Sequence, residues 1–291
     1  MALGSSHQTT SSHDIFRPEV WAAETQRARE PGKVMAKLVK RMDNEVAAFG
    51  DTINYQTIAQ LTASAKSVNT AVTLQAPSET NATISINRYF ESSFLVESNL
   101  AKQSKVNLMK EYVPKAAESV VRQQDSDLTG LYSGLSQQVG GLGSALTEAN
   151  FVRAIQYLDD GDHPQSDRHF VCRPVAKADL LKISKFTGVV VGADATSPGT
   201  ARTMNIVETG KFGELYGVEI HISTNVAADA TTATIYHNLM FHREAFVLAD
   251  QIPVTSTTDY IPDFMGHLHV AYGLWGRAEY RDTAGVDVRT T

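Results

Sequence analysis

The stretch from Asp51 to Glu91 limits the fold more than any other part of the chain. "DTINYQTI" and "NATISINRYF" alternate apolar with polar residues, as paired strands with one face in solvent should. Between them, "LTASAKSVNTAVTLQAPSE" is rich in Thr, Ala, Ser and Asn and poor in core formers. The pattern describes two long strands running out to a barely hydrophobic tip. A hairpin of that kind is marginal in isolation. It needs another surface to lie on.

The flanking segments read as a mixture of helix and strand. The start, "MALGSSHQTTSSHD", is small and polar, a flexible arm or a remnant of cloning; Pro18 then opens a short helix, and a second helix is expected from about Lys33 to Ala48. Arg27, Arg29, Lys33, Lys37, Lys40 and Arg41 form the one basic cluster, read as a solvated helix face or as a contact for an acidic partner or packaged nucleic acid. After the hairpin, Val96, Leu100, Val106, Met109, Val113, Ala117, Val120 and Val121 recur at helical steps. They predict one long helix from Ser93 to about Gln124, kinked at Pro114. Gly130, Gly134, Gly140, Gly141 and Gly143 mark a linker and the clearest internal boundary. Beyond it, Thr147-Glu148 starts a helix that stops at Gly161. "RHFVCRPV" is a strand, "AKADLLKIS" a short helix and "FTGVVVGADATSPGTARTMNIVETG" a flexible connection, while the remaining segments are strand-rich. Without regular βαβ alternation, the class is α+β.

Composition narrows the function classes. With 42% hydrophobic and 20% charged residues the chain can bury a core. A net charge of −6 argues against tight, sequence-independent binding of nucleic acid. A single cysteine, Cys172, excludes an internal disulfide framework and any multi-cysteine zinc site. No apolar run approaches the ~18 residues of a membrane span, and the first thirty residues lack a signal-peptide core, so a cytosolic protein is expected where it is made. Asn81-Ala82-Thr83 then goes unglycosylated.

The candidate chemical motifs are weak. In "YHNLMFHREAF", His237, His242 and Glu244 invite a metal reading. The two histidines are five positions apart, about 140° from each other around a helix and on opposite faces of a strand. His267 and His269 share a strand face and could in principle converge with His237 or His242, but nothing local supports it. "VVVGADATSPGT" places Gly192 and Gly199 after a strand without the Lys-Ser/Thr pair of a phosphate loop. Asp159, Asp160, Asp162 and His163 lack the spacing of a calcium loop and read as a helix C-terminal turn. The expectation is therefore no catalytic residue, no cofactor and no metal site.

Several phrases, taken in order, resemble the tailed-bacteriophage major capsid proteins, whose shell fold is shared with herpesvirus capsid floors and encapsulins. "LTEANFVRAIQYLDDGDHPQSDRHFVCRPVAKADLL" looks like the family's helix, acidic turn, Pro164, Arg168-led strand closed by Pro174, and short helix ending at Leu180-Leu181. "GKFGELYGVEIHISTNV" is similar to its Gly-rich turn and strand, at Gly210, Gly213, Gly217, Ser223 and Asn225. "LMFHREAFVLA" resembles a strand turn at His242, Arg243 and Ala245, and "AYGLWGRAEYRDTAGVDVRT" the closing segment. The likeness runs from about Pro18 to Thr290. It implies an N-terminal arm and short helices in 1–50, an extended hairpin loop in 51–91 and a spine helix with linker in 92–145. An axial domain in 146–267 and strands returning to the peripheral domain in 268–291 complete that layout. It also implies a non-enzymatic shell of hexamers and pentamers around double-stranded DNA, in a virion capsid assembled in the host bacterial cytoplasm. The implied partners are copies of itself, a scaffolding protein, a portal and a surface cement protein, with no membrane. The alternatives are an encapsulin-like compartment and a metal-dependent hydrolase using His237, His242, His267 or His269.

Overall fold

Two sheets share one core because the chain crosses between them twice at the same place. The computed structural model describes residues 33–46, 50–58, 61–104, 108–141, 143–183, 213–229, 232 and 234–291. The polar start, the helix at Pro18, Arg27, Arg29 and the Gly192–Gly199 segment lie outside the described residues. The class is α+β, as the intermixed patterns imply.

The first sheet has six strands in the order β5 (Gln138–Val139), β12 (Gly285–Thr290), β9 (Tyr236–His242), β6 (Arg168–Cys172), β8 (Val218–Ile222) and β7 (Glu214–Leu215). β6 is buried along its whole length, and β9 everywhere except Tyr236. Strands covered on both faces carry apolar side chains in an unbroken run. On one face, Phe170, Cys172, Met240 and Val286 cluster with Phe151, Ala154 and Leu158 of α5 (Glu148–Asp160) and Ala176 and Leu180 of α6 (Pro174–Lys182). Thr147 caps α5 by accepting from the Asn150 amide at 3.3 Å, and Gly161 closes it. On the other face, Val171, Leu239 and Phe241 join the core shared with the second sheet.

That second sheet runs β1 (Lys40–Arg41), β10 (Phe246–Ile261), β11 (Gly266–Glu279), β4 (Arg88–Glu97). Across one face lies α4 (Leu108–Thr129), whose Ala116, Val120 and Leu128 cluster with Trp275, Phe246 and Leu248. On the other face, Met42, Ile53, Ile84 and Ile86 pack with Val247 and Ala249. This third cluster seats the base of the antiparallel pair β2 (Thr52–Ile58) and β3 (Glu79–Ser85).

Three expectations change. Ser93–Glu97 is not the start of a helix but the end of β4, held by ladder pairing with β11; a short helix α3 (Ser98–Gln103) follows, and α4 (Leu108–Thr129) runs through Pro114. The helix expected over Lys33–Ala48 breaks into α1 (Met35–Leu38), the two-residue β1 and α2 (Asp43–Val46), because Lys40 and Arg41 pair with Val247 and Leu248. The closing segment 268–291 does not stay together: β11 belongs to the four-stranded sheet, whereas β12 returns to the six-stranded one. The crossings are adjacent in space. The turn at Arg243-Glu244 carries the chain from β9 to β10, and the Ala245 carbonyl there accepts from the amides of Tyr280 and Arg281 on the way back.

Polar side chains tie the layers where apolar ones do not. Asp125, fully buried on α4, accepts from the amides of Val34 at 3.1 Å and Met35 at 2.7 Å and from Asn225 Nδ2 at 3.0 Å. Asp127 accepts from Trp275 Nε1 at 3.2 Å. Part of the basic cluster is committed internally: Arg41 donates to Asp43 at 2.7 Å and to Asp250 at 2.6 Å, and Lys40 lies 4.2 Å from the centre of the Tyr280 ring. Burial nonetheless holds the Asp250 carboxyl above its ordinary range, against the pull of Arg41 and with a push from Asp43. Among the described residues, no helix is long and apolar enough to cross a membrane.

Candidate functional site

The four histidines considered as a hydrolase site occupy separate places and do not converge. His237, on β9, turns Nδ1 toward the buried Asp287 at 2.9 Å and stacks on Tyr132 with ring centres 3.7 Å apart. Arg289 reaches the same carboxylate at 3.0 Å. His242 sits at the other end of β9, its ring stacked 5.9 Å from His163. Burial first, with help from nearby Arg281 and Arg168, holds both of those rings below the usual 6.5. His269 lies in the other sheet, 2.7 Å from Thr258 Oγ1 and against Phe94, and His267 meets Tyr260 near the end of the β10–β11 hairpin. Glu244 belongs to the turn, where it faces Arg281 at 3.6 Å.

The acidic turn is a helix terminus held from behind. Arg168, almost fully buried, pairs with Asp159 at 2.7 Å and donates to the carbonyls of His163 at 2.6 Å and Pro164 at 2.8 Å. One guanidinium thereby fixes the end of α5, the following loop and the start of β6, a task for which its forked donors suit it. Gly217 has φ +78° and Tyr216 +52°, so the two-residue link between β7 and β8 has the positive angles of a type I′ turn. Ser223 Oγ accepts from the Asn225 amide at 3.1 Å, which orients Asn225 toward Asp125 on α4.

A group that sequence reading missed does come together: His169 on β6 with Glu219 and His221 on β8. Glu219 Oε2 is 3.3 Å from His169 Nδ1 and 3.5 Å from His221 Nε2. Burial and the neighbouring His221 keep the His169 ring below its ordinary pKa, although Glu219 pulls the other way. Glu219-x-His221 was visible as two side chains on one strand face. That His169 joins them follows only from the parallel pairing of β6 with β8.

The most exposed large apolar side chains among the described residues lie on the hairpin loop of 51–91, called the arm from here on. Past its base, the arm exposes Ile58 (74%), Leu61 (62%), Val68 (91%), Val72 (64%) and Leu74 (88%), and residues 61–78 form no strand. A second exposed group, Tyr260, Phe264 and Met265, marks the end of the β10–β11 hairpin, where Met265 adopts a left-handed φ of +45°. Isolated apolar residues on a surface need no explanation, but here four recur within fourteen residues of a segment that forms no strand.

No protein-family model matches the chain. No curated protein sequence matches it either. Solved structures do. The chain is similar to one from Mycobacterium phage Che8 at 21% identity and a TM-score of 0.77, over 94% of this chain and 97% of that one. A chain in the capsid structure of cyanophage P-SCSP1u aligns at 14% identity and TM-score 0.75, over 98% and 96% of the two chains. One in the mature capsid of bacteriophage PhiM1 aligns at 13% identity and TM-score 0.72, over 99% and 97%. The fold is that of tailed-phage major capsid proteins, over essentially the full length on both sides.

Proposed function

We propose that this chain is a major capsid protein. Copies of it assemble into hexamers and pentamers of an icosahedral shell that encloses double-stranded DNA, without catalysis. The observation that carries the reading is the arm. Its base is seated on β10 through Ile53, Ile84 and Ile86, while its distal residues hold apolar side chains in solvent. In a shell, that surface is covered by a sister subunit, and symmetry multiplies each modest contact. The full-length likeness to chains from phage capsids supports the same reading.

On this view 51–91 is the loop laid over a neighbour. The six-stranded unit is the axial domain that meets at five- and six-fold axes, and the four-stranded sheet with α4 is the peripheral domain. The net charge of −6 suits a wall that must contain DNA without gripping it. Further partners are a scaffolding protein, a portal and a surface cement protein, in a virion capsid assembled in the cytoplasm of the host bacterium.

Sedimentation and electron microscopy of the expressed full chain test the proposal. Closed shells or capsomer rings are expected, and deletion of residues 61–78 should abolish them while leaving a folded subunit. A stable monomer at every protein and salt concentration, with or without co-expressed scaffold, would refute it.

A further inference from the structure

Three side chains from two adjacent strands aim at one point, with Glu219 between the two imidazoles. His169 and Glu219 are register partners in the parallel pair β6–β8, and His221, two residues on, returns to the same face. His169 is only 8% exposed and is backed by Phe241, its ring 5.9 Å away. Its Nδ1 and the Nε2 of His221 are both buried atoms without a hydrogen-bond partner among the described residues. Both nitrogens nevertheless face Glu219 Oε2, at 3.3 and 3.5 Å. One ligand atom from each of the three residues lies within 4.8 Å of the others.

The long contacts to Glu219 leave room between the three ligand atoms for a cation. Two ligands each ~2.0–2.1 Å from a tetrahedral zinc stand about 3.4 Å apart, which matches the two separations to the carboxylate oxygen. Two imidazoles and one carboxylate suit a borderline metal and not calcium or magnesium, which take oxygen donors. The Glu219 side chain is 59% exposed, so the centre opens to solvent and a water can take the fourth position. We infer that His169 Nδ1, Glu219 Oε2 and His221 Nε2 bind a divalent transition metal, zinc by donor set and spacing. The ion clamps β8 to β6 where, among the described residues, the sheet has only the two-residue β7 beyond it. No catalytic role is assigned to it, and the inference does not depend on the shell reading.

The test is titration of the chelator-stripped full chain with Zn²⁺ and Co²⁺, followed by calorimetry, thermal melting and cobalt absorption. One ion per chain is expected, with the visible absorption of tetrahedral cobalt and a melting temperature that rises with zinc concentration. Glu219→Gln and His221→Gln, both at partly exposed positions, should each weaken zinc binding at least ~tenfold while melting like the parent in chelator. His242→Gln should bind as the parent does, and Ca²⁺ and Mg²⁺ should give no uptake. Failure of the stripped protein to take up zinc, or parent-like affinity in both Glu219→Gln and His221→Gln, would overturn the site. Assembly is read separately by sedimentation, so loss of the metal site leaves the shell proposal standing.

Discussion

In β9, Phe241 has no exposed surface and is enclosed by Phe246, its ring centre 5.3 Å away, and by His169; on the arm, Val68 and Leu74 are 91% and 88% exposed. All three are residues that normally sit inside a protein. One region finds its core within the chain, and the other carries the same chemistry out into solvent. The difference teaches that stability and assembly are separately encoded here. Substitutions in the sheet should cost folding, and substitutions on the arm should cost association.

The largest expected effect on folding is Phe241→Ala, at about 4 kcal/mol of unfolding free energy, since a buried aromatic is lost and a cavity is left between two sheets. Chemical denaturation followed by circular dichroism measures it; a loss under about 1 kcal/mol would mean that this core is not shared between the sheets. Asp125→Ala comes next. It strips an acceptor from the amides of Val34 and Met35 and from Asn225, and should cost about 3 kcal/mol. If that variant melts with the parent, the tie between α1, α4 and the 225 loop is unimportant.

A smaller effect is expected from acid. His163 and His242 both titrate below 6.5 in the folded chain, chiefly through burial, so the unfolded chain binds more protons as pH falls through 6.5. Their contribution is fully favourable above that pH, declines below it and levels off under their folded values. Denaturation midpoints between pH 7.5 and about pH 5 should therefore fall, and fall less in His163→Gln. An equal slope in that variant would contradict the assignment. The smallest folding effect belongs to Val68→Asp and Leu74→Asp, within about 0.5 kcal/mol of the parent. These same variants should abolish assembly, and parent-like assembly would erase the contrast between the two regions.

How much of this was legible in the sequence depends on whether local pattern or remote pairing decides an element. Thr147 and Gly161 announced the ends of α5, and the strand-rich character of the later segments holds in β9 and β10. The alternation in 51–58 and 81–85 gave the paired strands at the base of the arm. Residues 93–97 misled because "SFLVE" fits a helical stripe and a strand equally well, and pairing with β11 chose the strand. β1 has no local strand signal and exists because Val247 and Leu248 offer a free edge. The destination of β12 and the meeting of His169 with Glu219 and His221 are likewise set by pairing between segments about fifty residues apart. The polar run Gln124, Asp125, Asp127 is buried, with no apolar signal to say so, because its carboxylates accept from the main chain of α1 and from Trp275.

The central claim is that the exposed apolar side chains of the arm are covered by another copy of the chain. Cys172 is buried and its thiol is pushed up to about 12, so it stays inert while a cysteine introduced by Val72→Cys reacts. Cross-linking of that variant with a short bifunctional reagent, read by gel and peptide mass, tests the claim most directly. The account predicts covalent dimers and higher multimers linked from residue 72 to a sister subunit. Links confined to the same chain, joining residue 72 to its own body, would contradict it.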